Sequence, residues 1–314
     1  MNNKLCLCAE KYISDAVNLA SEMIKIKSVS GQEEKLAVFV ADKMKQLEFD
    51  EIHIDKAGNV IGKIKGTGGG KSLMFNCHLD TVDEGADDLW AYPPYSGKIV
   101  DGAVWGRGSS DTKGAFAVQL YAAHIIKREG MLPKGDIYVA GVVHEEDSGL
   151  GSIVLLKSLK TDYGVIGEAS ENDIAIFNRG RMRFDLIIQG KSAHASTPEN
   201  GVNPCFFLAE FLMLIKKIEL DEDPVFGRSS IAPTLIQTSE TNTNVIPSKL
   251  ILSIDYRNVP NDSPDKVMGK LKKLVNQCMF KGIEVTIKRV KNPIVCYTGY
   301  KDDIYEGAPA FSID

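Results

Sequence analysis

Residues 72–80 read Ser72-Leu73-Met74-Phe75-Asn76-Cys77-His78-Leu79-Asp80. The apolar run Ser72–Cys77 predicts a short buried strand, and the polar residues at its end are the chain's strongest local signal. Strand period 2 puts His78 and Asp80 on one face and turns Cys77 to the other. An imidazole with a carboxylate beside it suits a metal-bound histidine whose tautomer is fixed by a neighbour. Taken alone, the pair reads more readily as a strand-end histidine with an ordinary hydrogen bond.

Moving outward, further apolar strand candidates lie at Val60–Ile64, Asp136–Val143 and Tyr163–Gly167. Helices at Gly114–Arg128 and Leu150–Leu159 separate them, which predicts an α/β sheet with crossovers. Upstream, Ser30 and Glu33 have capping-box spacing. Leu36, Phe39, Val40, Met44 and Leu47 then mark one helical face. The glycine run Gly66–Gly70 reads as a flexible hairpin tip.

Near residue 175 the pattern changes. A strand pair at Ile174–Asn178 and Arg181–Gln189 is followed by a helix at Asn203–Ile218 and strands at Ile231–Thr238 and Lys249–Arg257. A helix at Pro264–Phe280 and a strand at Glu284–Arg289 complete the block. The order predicts a small α+β, ferredoxin-like domain inserted into the first. The expected division is residues 1–175 as a metal-binding catalytic domain, 176–291 as the insertion and 292–314 as the start of a return to the catalytic domain.

A net charge of -5 with no sustained Lys/Arg block argues against nucleic acid or an anionic membrane as partner. The 314 residues contain no apolar stretch long enough to span a bilayer and no leader pattern at the start, so a cytoplasmic protein acting on a small molecule is expected. The six cysteines are too dispersed for a zinc ribbon or a redox pair.

Three other segments offer chemistry beside His78. The stretch 106–114, GRGSSDTKG, delivers Asp111 just before a helix, where it can cap the helix or reach a cation, and capping is the commoner outcome. Residues 144–147, HEED, crowd three carboxylates at the end of a buried strand. That is tolerable with a cation among them, and a solvated acidic loop is an equal reading. Glu168 ends another apolar strand. In an open α/β sheet such strand ends converge on one edge, so the four weak signals together make a strong one. An imidazole and carboxylate set without thiolate suits Zn²⁺, Co²⁺ or Mn²⁺.

In order and spacing, HLD, GRGSSDTKG, HEED and GEAS resemble the metallopeptidase family of aminoacylase, acetylornithine deacetylase, succinyl-diaminopimelate desuccinylase and carboxypeptidase G. The segment 178–204, NRGRMRFDLIIQGKSAHASTPENGVNP, is most similar to the selenium-metabolism-linked hydrolases within it. The resemblance implies two zinc ions: His78 and Glu168 on one, Asp111 bridging and Glu146 on the second. It implies Glu145 as general base, Asp80 steadying His78, and His194 of the insertion stabilising an oxyanion in a partner subunit of a homodimer. Asn244, Arg179 and Arg257 are weaker candidates for holding a substrate carboxylate, and a structural ion pair is an equal reading for the arginines.

The implied activity is metal-dependent hydrolysis of an amide in an N-acyl amino acid or small peptide. A di- or tripeptide aminopeptidase of the same fold is the nearest alternative. One departure stands out: no histidine follows His194, whereas the family pattern carries one in a last catalytic segment that completes the second metal site. A second site limited to Glu146 and a share of Asp111 implies weak occupancy, and a shortened, inactive chain that still dimerises is a further expectation.

Overall fold

The computed structural model describes residues 3–278, 280–305, 307, 310 and 311. They form two compact units: the first has the described residues of 3–173 and 293–304, and the second has those of 174–292 and from 305 on.

In the first unit, five strands stand in the order Glu51–Ile54, Val60–Ile64, Ile137–Val142, Leu73–His78 and Tyr163–Ile166. The last three run parallel, and the first two are antiparallel additions. Strands so enclosed must be apolar on both faces, which is why Ile137–Val142 is an almost unbroken hydrophobic run. The glycine run 66–70 is not a hairpin tip, because Ile137–Val142 lies between the strands on either side of it. Instead Gly66 and Gly70 press against the Lys134–Gly135 backbone, where a Cβ at either would come within 2.5 Å of a main-chain atom.

The helices of this unit are α1 (Asn3–Ile24), α2 (Glu34–Gln46), α3 (Gly114–Arg128) and α4 (Leu150–Ser158). Helix α3 matches its predicted bounds. Its buried stripe of Phe116, Ala117, Leu120 and Ala123 packs into the core with Leu79 and Val139, and basic Lys127 and Arg128 close its last turn, complementing the dipole. The Phe116 ring lies where a side chain at Gly141 would stand, 2.8 Å from that position. Phe116→Ala is therefore expected to destabilise this unit by about 3–5 kcal/mol, read as a lower urea midpoint of its unfolding transition. The outer strand Tyr163–Ile166 is exposed along its whole length. Residues 293–304 rejoin the same core through Ile294, Cys296 and Ile304, and Tyr297 donates to the Gly58 carbonyl at 2.9 Å.

In the second unit, four antiparallel strands stand in the order Ser230–Thr238, Lys249–Asn258, Gly180–Gln189 and Glu284–Arg289. With α5 (Pro204–Ile215) and α6 (Pro264–Gln277) the chain order is the ferredoxin-like β-α-β-β-α-β. Alternation buries Met182, Phe184, Leu186 and Ile188 against Phe207, Phe211 and Leu271. The expected strand pair at the start of this unit does not form. Gly180–Gln189 takes a central place in the sheet, and the short strand Phe177–Asn178 pairs with Ala310–Phe311. Of the last expected segment, 292–314, Glu306, Ala308, Pro309 and Ser312–Asp314 lie outside the described residues.

Among the described residues no helix is long and apolar enough to cross a membrane.

Candidate metal centre

Parallel pairing brings the chemical residues to one edge of the sheet. His78 is in register with Val142, so the loop that follows Val142 opens beside it. Asn76 is in register with Ile166, so two residues further along each strand Glu168 comes level with His78. The loop before α3 supplies Asp111, whose peptide bond to Thr112 is cis, and Thr112 Oγ1 donates to the Gly167 carbonyl at 2.8 Å.

His78 Nε2 lies 2.8 Å from Asp111 Oδ1 and 4.0 Å from Glu168 Oε2, and one ligand atom from each of the three falls within 4.8 Å of the others. The imidazole is buried, with Asp111 and Glu168 partly open to solvent. His78 Nδ1 sits 2.8 Å from the Asp80 carbonyl and 3.7 Å from Asp80 Oδ1. A proton on Nδ1 shared with that carbonyl leaves Nε2 as the donor atom facing the carboxylates, which is the arrangement of a metal-binding histidine.

The Asp80 carboxylate is committed mainly elsewhere. Oδ1 accepts from the Glu145 backbone N–H at 3.0 Å, and Oδ2 accepts from Glu146 N–H at 3.1 Å and Ser30 Oγ at 2.7 Å.

The electrostatics are those of crowded carboxylates with His78 as their one basic neighbour among the pairs formed. Among the described residues, no Lys or Arg forms an ion pair with Asp111, Glu145, Glu146 or Glu168. Burial raises the Glu145 carboxyl above its usual range against the pull of His78, with Asp80, Glu146 and Asp111 adding to the rise. Burial and then Asp111 raise that of Glu146. Burial pushes Glu168 up to about 7, opposed by His78 and reinforced by Glu145, Asp111 and Glu146. For His78, burial favours the neutral ring, but the Asp80 and Asp111 carboxylates outweigh it and hold the pKa above its ordinary value.

One nitrogen donor and several carboxylates that no Lys or Arg pairs match the ligand preference of Zn²⁺, Co²⁺ or Mn²⁺, so the donor set fits a divalent ion. Ligation requires ionised carboxylates. As the pH falls through 7, protons compete for Glu168, and metal affinity is expected to drop. Calorimetry in buffers of different ionisation enthalpy should show protons released on binding at pH 6.5 and fewer at pH 8.

Residues 74–302 match peptidase family M20/M25/M40. The chain belongs to this family. The uncharacterised protein YgeY of Escherichia coli K12 is 31% identical over 255 residues, covering 79% of this chain and 62% of YgeY. The chain therefore spans less than two thirds of that relative's length. Succinyl-diaminopimelate desuccinylase of Paracoccus denitrificans is 29% identical over 259 residues, 78% of this chain and 68% of the desuccinylase. The structure of an M20 family metallo-carboxypeptidase, Sso-CP2 from Sulfolobus solfataricus, has the same fold, with a TM-score of 0.67 at 19% identity over 88% of this chain and 79% of that one. These matches agree with the resemblance carried by the four short motifs.

The other candidate residues of this M20 chain lie in the second unit. His194 is exposed, with Nδ1 2.7 Å from Ser196 Oγ, and the Asn244 carbonyl accepts from Ala195 N–H at 2.9 Å. Arg179 donates to the Arg228 carbonyl, and Arg257 pairs with Asp255 at 2.9 Å.

Sequence reading missed three residues that support the centre. Lys113 is buried, donates to the Ile26 carbonyl at 2.8 Å and is lowered to about 7 by burial. Buried Asn59 accepts from Val143 N–H at 3.0 Å and donates to the Gly151 carbonyl at 2.9 Å. The third, Glu33, was legible only as a helix-cap signal. Yet α2 starts with no side-chain cap from Glu33, whose carboxylate instead meets His144 N–H at 3.2 Å.

Proposed function

We propose that the chain is the metal-binding body of a metal-dependent amide hydrolase acting on an N-acyl amino acid or small peptide. The observation that carries this reading is the convergence of His78, Asp111 and Glu168 within ligand distance of one another, in a member of the M20 family. A relative that is a desuccinylase supports the acyl-amino-acid class.

His78, Asp111 and Glu168 would hold one divalent ion, Zn²⁺ first and Co²⁺ or Mn²⁺ as alternatives, and Glu146 would serve a second with a share of Asp111. When bound, such an ion polarises the scissile carbonyl and acidifies water. The chain's own part is proton movement and orientation. The Glu145 carboxylate, raised above its usual pKa by burial, takes a proton from the attacking water and returns it to the leaving amine nitrogen. Asp80 keeps the backbone beneath Glu145 and Glu146 fixed through its two oxygens. His194 is a donor suited to an oxyanion, acting across a homodimer formed through the second unit. Asn244, Arg179 and Arg257 are assigned to the substrate carboxylate.

The test is a hydrolysis panel of N-acetyl- and N-succinyl-amino acids against free-amino di- and tripeptides, with and without a chelator. Chelator-sensitive release of amine from the acylated set supports the reading. Turnover of the free-amino set alone would make the protein an aminopeptidase, and no turnover with metal bound would make it an inactive, dimerising member.

A further inference from the structure

Four successive backbone N–H groups of the acidic loop each donate to a buried side-chain oxygen. Val143 donates to Asn59 Oδ1 at 3.0 Å and His144 to Glu33 Oε1 at 3.2 Å. Glu145 and Glu146 donate to the two Asp80 oxygens at 3.0 and 3.1 Å. The last two converge on the single Asp80 carboxylate, as in an anion-binding nest, while Glu33 supplies a second carboxylate and Asn59 a neutral amide oxygen.

The conformation that makes the nest is not a relaxed one. His144 stands at φ 54°, in the left-handed region that non-glycine residues adopt uncommonly. Its ring is buried, with Nδ1 3.0 Å from Asp147 Oδ2, and its Nε2 has no hydrogen-bond partner among the described residues.

Glu33 is the unexpected member of this set. Its side chain is wholly buried, and Oε1 is shared between Gly31 N–H at 2.9 Å and His144 N–H. Oε2 is buried without a partner among the described residues. A buried carboxylate with an unsatisfied oxygen costs stability, and nothing in its own helix uses it. The turn it ends also carries Ser28, which donates to the Leu79 carbonyl at 2.8 Å, and Ser30, which donates to Asp80. Residues 28–33 thus bond to both strand-end segments, to 79–81 and to His144.

We propose that Glu33 is a positioning residue: its carboxylate fixes the left-handed turn at His144 and so sets where Glu145 presents its own carboxylate. The effect on catalysis rests on the amide-hydrolase reading. The effect on the loop does not.

Two conservative substitutions separate reach from charge. Glu33→Gln keeps an acceptor at Oε1 and removes the charge, whereas Glu33→Asp keeps the charge and falls one methylene short of His144 N–H. Hydrogen–deuterium exchange on the full chain should show amides 143–146 exchanging about tenfold faster in Glu33→Asp, the loss of one hydrogen bond. The rest of the unit, and Glu33→Gln, should stay near wild type.

With Zn²⁺ and N-acetyl-L-methionine as the probe, kcat should fall about 10–100-fold in Glu33→Asp, with KM and metal stoichiometry unchanged. Glu33→Gln should retain most of the activity. Equal protection in both variants, or faster exchange spread evenly over the unit, would overturn the proposal. If the wild type does not hydrolyse the probe, the hydrolase reading loses support, and the exchange result alone decides the role of Glu33.

Discussion

Glu145→Gln is expected to lower kcat by roughly 10²–10⁴-fold, the usual contribution of a carboxylate general base, with metal content unchanged. Gln is isosteric with Glu, so the backbone bond from residue 145 to Asp80 Oδ1 survives and only the proton-accepting oxygen is lost. The same change at Glu146 should behave differently. If Glu146 is a ligand of the second ion, Glu146→Gln lowers the stoichiometry of bound metal as well as turnover. Measuring kcat and metal content on both variants therefore assigns the two neighbours separately. A Glu145→Gln protein that keeps most of its activity would show that the base has been misassigned.

The second large effect is expected at His78. Removing this imidazole takes away the one nitrogen donor of the cluster and leaves Asp111 and Glu168 facing each other without it. Loss of a residue that merely supports a ligand typically costs 10–100-fold in metal affinity, so loss of the ligand should cost at least about 100-fold. In the wild type, metal at 100 times its dissociation constant should stabilise the fold by about 2.7 kcal/mol. That gain, seen as a rise in Tm on adding Zn²⁺ to chelator-treated protein, should shrink to about 0.4 kcal/mol or less in His78→Ala at the same metal concentration. An unchanged Tm response would place the ion elsewhere.

The strand ends that carry the site were legible because apolar runs with polar termini are a local pattern, and α3 was legible for the same reason at period 3.6. What could not be read locally was the neighbour of each element. The glycine run 66–70 resembles a hairpin tip only until Ile137–Val142 is known to pair between the flanking strands. The strand after residue 180 looked like the partner of the one before it, whereas the hydrophobic face of Met182 to Ile188 demanded a central place in the second sheet.

Ser30 and Glu33 carry the spacing of a capping box, a signature that rests on local reach. Ser30 instead meets a partner 50 residues away, and Glu33, besides its local bond from Gly31 N–H, meets one 111 residues away. Asp80 shows the same limit at the site itself. Period 2 put its side chain with His78, but the stronger bonds of its carboxylate go to the backbone of the acidic loop. Alternation gives a face, not a partner.

The central claim, a divalent ion held by His78, Asp111 and Glu168, is tested most directly by crystals of the Zn²⁺-loaded protein measured at the zinc absorption edge. The anomalous peak should lie about 2.0–2.2 Å from His78 Nε2 and from carboxylate oxygens of Asp111 and Glu168. A peak elsewhere, or a zinc-loaded chain in which His78 Nε2 is not a ligand, would contradict it.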